Sequence, residues 1–320
     1  MPPTVYFVIP CYNEEAVLPI SAPVVRQKLA DLAEAGGISY ESRVLFVDDG
    51  SSDRTWELIS ALSAEDPVFT GVKLSHNAGE QNAYLAGMTA AVKHADAVVT
   101  MDCDLQDDIN AVDEMIARFS EGYEIVYGVR QKRDEDPLSQ RITSGVFYVL
   151  MRRLGTELVP EHSQFRLMSR RAVRMLTEYG EVNLFLPALV PKLGLKHTVV
   201  LHDRHARAAG KSNYTPAKLF RLAAEAVTSF SPAPLYAVTA AAALSALLFL
   251  ASAVCTAVFS VRAGALSLPW LLLSSLWLVA CLVFGSLRIL GEYAYKTYME
   301  TKKRPRFQIE TVTPEEREET

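Results

Sequence analysis

Between Ala226 and Leu287 the only charged residue is Arg262. Two uncharged runs lie inside that stretch, Leu235–Ser260 with 26 residues and Ala263–Leu287 with 25. A helix rises 1.5 Å per residue, so about 20 apolar residues cross roughly 30 Å of hydrocarbon, and each run exceeds that need. Two membrane-spanning helices are therefore predicted, over 233–261 and 266–290. The turn between them carries one base, whereas Lys218, Arg221, Arg288, Lys296, Lys302, Lys303, Arg304 and Arg306 flank the outer ends. Basic flanks stay on the cytoplasmic side, which predicts an inner-membrane protein with both termini and the preceding domain in the cytoplasm. The start of the chain, Met1-Pro-Pro-Thr and a short apolar run, lacks the basic start and cleavage site of a signal peptide.

The segment before the first span, 216–232, places Leu219, Phe220, Leu222, Ala223, Ala226, Val227 and Phe230 largely on one side, with Lys218 and Arg221 beside them. It reads either as an amphipathic juxtamembrane helix lying on the bilayer or as a helix packed on the preceding domain. The tail, 291–320, ends in an acidic stretch from Pro314 and is expected in the cytoplasm.

The first 215 residues differ in kind. Short apolar runs rich in β-branched and aromatic residues recur at Thr4–Ile9, Arg43–Val47, Thr70–Leu74, Ala97–Met101 and Glu124–Val129. Helical-period stretches alternate with them at Ala16–Glu34, Thr55–Ser63, Gln81–His94 and Ile109–Phe119, the last able to start on Asp107 or Asp108 as a cap. That alternation predicts an open α/β domain, a mostly parallel sheet with helices on both faces. Such sheets bind ligands beyond the carboxyl ends of their strands, so the loops after Ile9, Val47 and Met101 are where chemistry is expected. A net charge of -5 and a pI near 5.8 exclude a general nucleic-acid binder. Four scattered cysteines exclude a disulfide scaffold and suit a reducing compartment.

Those three loops hold dense polar clusters: Pro10-Cys11-Tyr12-Asn13-Glu14-Glu15, Asp48-Asp49-Gly50-Ser51-Ser52-Asp53 and Asp102-Cys103-Asp104-Leu105-Gln106-Asp107-Asp108. Carboxylates crowded at one edge repel one another unless a cation or ligand compensates. A single Asp here could be a helix cap. Asp102 and Asp104 together offer hard oxygens for Mg²⁺ or Mn²⁺, with substrate phosphates completing the shell.

These motifs, in this order, resemble family-two glycosyltransferases of the GT-A fold. More narrowly, Asp102-Cys103-Asp104-Leu105-Gln106, Gly128-Val129-Arg130, Phe165-Arg166-Leu167-Met168-Ser169-Arg170, Gly210-Lys211-Ser212-Asn213-Tyr214, and the tail from Gly291-Glu292-Tyr293 through Lys303-Arg304-Pro305-Arg306 are similar to the polyprenyl-phosphate glycosyltransferases, the bactoprenol glucosyltransferase and dolichol-phosphate mannosyltransferase relatives. The resemblance implies a Rossmann-like GT-A domain over 1–215 followed by the two spans. It implies a metal-dependent, inverting transfer of a hexose from a nucleotide diphosphate sugar, UDP-glucose first among the donors, to undecaprenyl phosphate. Mannose, N-acetylhexosamine and aminoarabinose remain alternative sugars. Pro10, Tyr12, Glu14, Asp48 and Asp49 would line the nucleotide pocket, while Asp104, Gln106 and Asp102 would hold the metal. Asp102, Asp104 and Arg130 would carry the chemistry. Arg130, Arg141, Ser144, Arg166, Arg204, Arg207 and Lys211 would cradle the lipid phosphate. The pattern departs at Glu161-His162-Ser163-Gln164, where relatives often place an acid before the Phe-Arg pair and this chain has Gln164, leaving Glu161 as the nearest acid.

Three further expectations follow. Arg152, Arg153, Arg170, Arg171 and Arg174 read as solvated or membrane-facing charges. His202-Asp203-Arg204-His205 reads as a surface strand end rather than a metal site. A homo-oligomer is expected, a tetramer by resemblance, to which the 302–309 extension could add a strand on a neighbour. A processive polysaccharide synthase would need a Gln-x-x-Arg-Trp signature, and no Arg-Trp pair occurs. A catalytically dead scaffold would have no need to keep Asp48, Asp102, Asp104 and Gln106 together.

Overall fold

The computed structural model describes residues 1–130, 162–180, 186–203, 268–302 and 305–313. They divide into two compact units, an α/β unit and a helix. The α/β unit contains β1 (Val5–Cys11), α1 (Leu18–Glu34), β2 (Arg43–Asp48), α2 (Thr55–Glu65), β3 (Phe69–Leu74), α3 (Glu80–Ala91), β4 (Ala97–Thr100), α4 (Ala111–Ser120) and β5 (Ile125–Arg130). It continues with β6 (His162–Ser169), α5 (Arg170–Glu178), α6 (Leu186–Lys192) and β7 (His197–His202), and closes with β8 (Ile309–Thr313). The other unit holds α7 (Leu268–Lys302).

The eight strands form one sheet in the order β7-β5-β6-β4-β1-β2-β3-β8. Pairings β1–β2, β1–β4, β2–β3 and β5–β7 are parallel, while β6 runs antiparallel to both β4 and β5. Chain order reverses between β1 and β4, so a crevice opens there at the strands' carboxyl ends. Central strands are buried on both faces, which is why β2 reads as an almost unbroken apolar run. One face, carrying Phe7, Ile9, Phe46 and Val99, packs on α1 and α4 through Val25, Leu29, Val112 and Met115, all fully or nearly fully buried. Burying each such large side chain stabilises the fold by roughly 1.5–3 kcal/mol.

On the opposite face α3 lies against β1 and β2. A Cβ on Gly87 would come within 2.4 Å of Val8 Cγ1 and 2.7 Å of Val47 Cγ2, so the helix reaches its depth only because that residue has no side chain. Helix α1 stops where Gly36, at φ +71, and Gly37 donate back to the carbonyls of Ala33 and Leu32, each at 3.0 Å. Ser169 caps α5 by accepting from Ala172 N–H at 3.0 Å. Asn110 stands at the start of α4 with no side-chain cap; Asp108 instead accepts from Asn110 N–H at 3.0 Å in the turn before it.

The C-terminal strand, β8, pairs antiparallel with β3 of its own chain. Ser75 N–H donates to Gln308 O at 2.9 Å and Lys73 meets Glu310 at 3.1 Å, so the exposed edge of β3 is closed within one chain. Arg306 adds a hydrogen bond to Tyr179 O.

Helix α7 has 35 residues, roughly 52 Å of helix. Its second half carries Arg288, Glu292, Lys296, Glu300 and Lys302. Among the described residues no helix is long and apolar enough to cross a membrane. The expected first span, 233–261, and the juxtamembrane segment, 216–232, lie outside the described residues, as do Arg141, Ser144, Arg152, Arg153, Glu161, Arg204, Arg207 and Lys211.

Candidate active site

The loops after β1 and β2 are laced together by hydrogen bonds. Asp49 N–H donates to Cys11 O at 2.9 Å. Asn13, in the left-handed region at φ +56, donates its N–H to Ser51 Oγ at 2.9 Å and accepts from Ser52 N–H at 2.8 Å. Glu14 N–H donates to Thr55 Oγ1 at 2.9 Å, Glu15 N–H to Asp53 Oδ2 at 3.1 Å, and Arg54 N–H returns a bond to Glu15 Oε2 at 3.1 Å. The result is a shelf on which Tyr12 stands exposed, flanked by half-buried Pro10 and Glu14.

Asp48 and Asp49 end β2 facing different ways. Asp48 is fully buried; its Oδ1 accepts from Ser51 N–H at 3.1 Å, and its Oδ2 has no hydrogen-bond partner. Burial raises its pKa against the lowering effect of the Ser51 bonds. Asp49, also buried, accepts from Ala78 N–H at 2.8 Å and Gly79 N–H at 3.0 Å. Burial pushes its pKa up to about 6 although those two bonds pull it down. Asp49 thus holds the loop before α3 through both of its oxygens. Gly50, at φ +67, fits the same loop: a Cβ there would meet His76 C at 2.5 Å and Asn77 N at 2.6 Å.

Just beyond β4, half-buried Asp102 accepts from Tyr84 O–H at 2.5 Å. Burial, then the charge of Glu80, lifts its pKa to about 7 against the Tyr84 bond, with Asp107 and Asp104 adding to the rise. Asp104 is buried and its Oδ1 accepts from Gln106 N–H at 3.2 Å, a turn in which Leu105 adopts φ +54. A non-glycine residue held there costs of order 1–3 kcal/mol and survives only where surrounding structure enforces it.

Among the described residues no three His, Cys, Asp or Glu side chains form a ready-made metal cluster. The donor set nevertheless fits a hard cation that takes one or two carboxylates from the protein and its remaining oxygens from substrate phosphates. Asp102 and Asp104 each commit Oδ1 to a protein donor, and Asp102, raised by burial and by the acids around it, is a group whose charge a divalent cation would favour.

The expected basic residues divide. Arg130, at the end of β5, directs Nε toward buried Asp107 at 3.6 Å. Arg166 is buried, 1% exposed, at the register position opposite Thr100. Its Nε lies 3.5 Å from Gln164 O, its Nη2 donates to Gln164 Oε1, its Nη1 has no partner, and burial lowers its pKa. It is set within the sheet, with Thr100 opposite and Gln164 beside it. Gln164 therefore serves as the acceptor for this guanidinium. Arg170 and Arg171 are surface charges as expected, paired with Asp96 at 3.1 Å and Glu124 at 2.8 Å.

His202 was expected at a surface strand end and is instead buried, because β7 pairs with β5 and the ring stands edge-on to Phe165, centroids 5.3 Å apart. Tyr84, Asp107 and His202 had not been singled out from the sequence as site residues. Asp107 stands in the polar cluster after β4 and His202 in the His-Asp-Arg-His run, whereas Tyr84 carries no local signal.

The sheet order and the three carboxylate-bearing loops at its switch point define a GT-A glycosyltransferase fold. Residues 6–176 match the model of Glycosyl transferase family 2, and the chain belongs to that family. It is 40% identical over 311 residues, 96% of this chain and 91% of the other, to the protein of Bacillus subtilis strain 168 called uncharacterized glycosyltransferase YkoT. It is 34% identical over 312 residues, 95% of this chain and 98% of the other, to the prophage bactoprenol glucosyl transferase homolog of Escherichia coli strain K12. Among solved structures, glucosyl-3-phosphoglycerate synthase from Mycobacterium tuberculosis aligns at a TM-score of 0.45 and 18% identity, covering 71% of this chain and 78% of that one.

Proposed function

We propose that the protein transfers a hexose, with inversion, from a nucleotide diphosphate sugar to undecaprenyl phosphate at the cytoplasmic face of the inner membrane. UDP-glucose is the leading donor. The observation that carries the reading is the gathering of the β1, β2 and β4 loops, with Asp48, Asp102 and Asp104, at the sheet's switch point. The full-length similarity to a protein named bactoprenol glucosyl transferase homolog supports the lipid acceptor and the glucose.

The shelf of Pro10, Tyr12 and Glu14 beside Asp48 would receive the nucleoside, Asp49 holding the loop behind it. Asp104, Asp102 and Gln106 would hold a divalent cation, Mg²⁺ or Mn²⁺, which when bound supplies stabilisation of negative charge on the departing diphosphate. The acceptor needs no strong base, because a phosphate monoester with a second pKa near 6 is largely a dianion at neutral pH. One of its oxygens bonds to the anomeric carbon as the bond from that carbon to the diphosphate oxygen breaks. What the chain supplies is position: Arg130 with Arg141, Ser144, Arg204, Arg207 and Lys211 would aim the phosphate, and alignment contributes several kcal/mol.

Membrane attachment rests on the uncharged runs Leu235–Ser260 and Ala263–Leu287. Exposed Leu272, Leu276, Val279, Val283, Leu287 and Leu290 along α7 support it. Assembly into a homo-oligomer rests on the family resemblance.

The test is incorporation of radiolabelled sugar into organic-extractable lipid by the purified full chain, with undecaprenyl phosphate, Mg²⁺ or Mn²⁺, and a panel of nucleotide sugars. Label from UDP-glucose is expected. No transfer from any donor in the panel would refute the reading.

A further inference from the structure

Behind the metal loop lies a cluster that the proposed reaction has not used. Asp107, three residues past Asp104, is 5% exposed, and its Oδ1 lies 3.6 Å from Arg130 Nε and 3.8 Å from His202 Nε2. These are ion contacts and not hydrogen bonds: Asp107 Oδ1, Arg130 Nε and His202 Nε2 are all buried without a hydrogen-bond partner. Arg130 and His202 are register partners at the carboxyl ends of β5 and β7, so one carboxylate faces two adjacent strand ends.

The cluster is aimed rather than accidental. His202 Nδ1 lies 3.0 Å from Asp203 O, and since a carbonyl only accepts, that nitrogen carries the proton. Phe165 fixes the plane of the ring, and Nε2 is left pointing at Asp107. Asp203 O also accepts from Asp108 N–H at 3.3 Å, so the 102–108 loop is tied to the end of β7 through its backbone beside the residue whose side chain faces Arg130.

A buried carboxylate kept for stability alone gains by closing to hydrogen-bond distance, because every unmade bond leaves a desolvated group uncompensated. Here the slack is concentrated on one arginine at a strand end and one loop that also carries Asp102 and Asp104. Contacts of this kind are often long in the free enzyme and tighten only with substrate bound.

We infer that Asp107, backed by His202, is a positioning residue that couples the metal-binding loop to Arg130, so that drawing Arg130 onto the acceptor phosphate closes the Asp107 contact and sets the loop. This rests on the function proposed above. Asp107 itself touches no substrate. It fixes Nε and leaves the planar end of the guanidinium, two N–H groups in a fork, to meet phosphate oxygens.

The experiment is steady-state kinetics of the full chain with UDP-glucose, Mn²⁺ and undecaprenyl phosphate, varying each substrate in turn. Asp107→Asn should raise KM for undecaprenyl phosphate about tenfold, the usual cost of losing a supporting partner of a ligand-binding group. KM for UDP-glucose should stay within about twofold, and Asp107→Glu should recover part of the loss. Asp107→Asn combined with Arg130→Gln should be no worse than Arg130→Gln alone, since coupled residues are not additive. His202→Gln provides a second entry if Asp107→Asn does not fold, and should give a smaller, acceptor-only rise in KM. Additive losses, a rise in KM for UDP-glucose, or a fall in melting temperature with both KM values unchanged would each overturn the inference. A parent enzyme that labels no lipid overturns the proposed function instead, so the two failures are distinct.

Discussion

The two sides of the sheet's switch point are built differently. Around β1 and β2, the loops from Cys11 to Thr55 are joined by hydrogen bonds of 2.8–3.1 Å, with Asn13 bonding the other loop's backbone and Asp49 that of the loop before α3. Across β6, β5 and β7, Asp107 Oδ1, Arg130 Nε, Arg166 Nη1 and His202 Nε2 are buried without partners. Each such group costs about 1–3 kcal/mol when left unpaired. Asp48 Oδ2 is left over on the first side as well, so the difference is one of degree: a largely preorganised half, fitted to a donor whose shape is constant, and an adjustable half where several polar groups find partners only in company. Preorganised dipoles stabilise charge without reorganising as it develops, whereas slack groups can follow a phosphate carried on a mobile lipid.

That contrast can be broken at several points. On the seam between the halves, Asp104→Ala should lower Mn²⁺-dependent sugar transfer by about a hundredfold or more while the melting temperature is kept, because removal of a metal ligand abolishes charge stabilisation on the leaving group; turnover near the parent level would remove Asp104 from the site. Asp49 offers a pH test on the rigid half. Its folded pKa, about 6 against an ordinary 3.8, means that the folded protein binds the extra proton between about pH 4 and 6, so stability falls as pH rises through that window. The loss amounts to at most about 3 kcal/mol by neutral pH. Asp49→Asn should flatten the decline in melting temperature between pH 4 and 7 relative to the parent, and parallel curves would show that burial does not hold this carboxyl up.

Gly50→Ala should destabilise by about 2 kcal/mol in thermal unfolding, since it adds a Cβ at φ +67 against the backbone of His76 and Asn77. Asn13→Ala removes the acceptor for Ser52 and should cost about 1 kcal/mol with a modest rise in KM for UDP-glucose. If Asn13→Ala instead raised KM for undecaprenyl phosphate, the assignment of the laced loops to the donor would be reversed.

The sequence shows the first half of the domain clearly and the second half poorly, for a physical reason. β1 to β5 announce themselves because parallel central strands, buried on both faces, must be apolar throughout, and the helices between them keep a helical period. β7 and β8 are edge strands that leave Val199, Leu201 and Ile309 exposed and, in β7, bury His202, so neither shows the usual apolar-in, polar-out alternation, and their partners, β5 and β3, lie far away in sequence. His202, within His-Asp-Arg-His, looks solvent-exposed from its neighbours and is buried by the ring of Phe165, a contact across strands that no local pattern records. A carboxylate in a polar loop gives no sign of its direction either, so the bonds from Asp49 to Ala78 and Gly79 have no local signature. The Gln164–Arg166 contact was within reach, since residues two apart on a strand share a face.

Hydrogen–deuterium exchange on the full chain, first with UDP and Mn²⁺ and then with undecaprenyl phosphate added, tests the division most directly. The account predicts that amides of 11–15 and 48–55 are slow from the outset and do not respond to the lipid. Those of 102–108, 125–130 and 197–203 should slow when the lipid phosphate arrives. Protection by the acceptor confined to 11–15 and 48–55, or none in the second group, would contradict it.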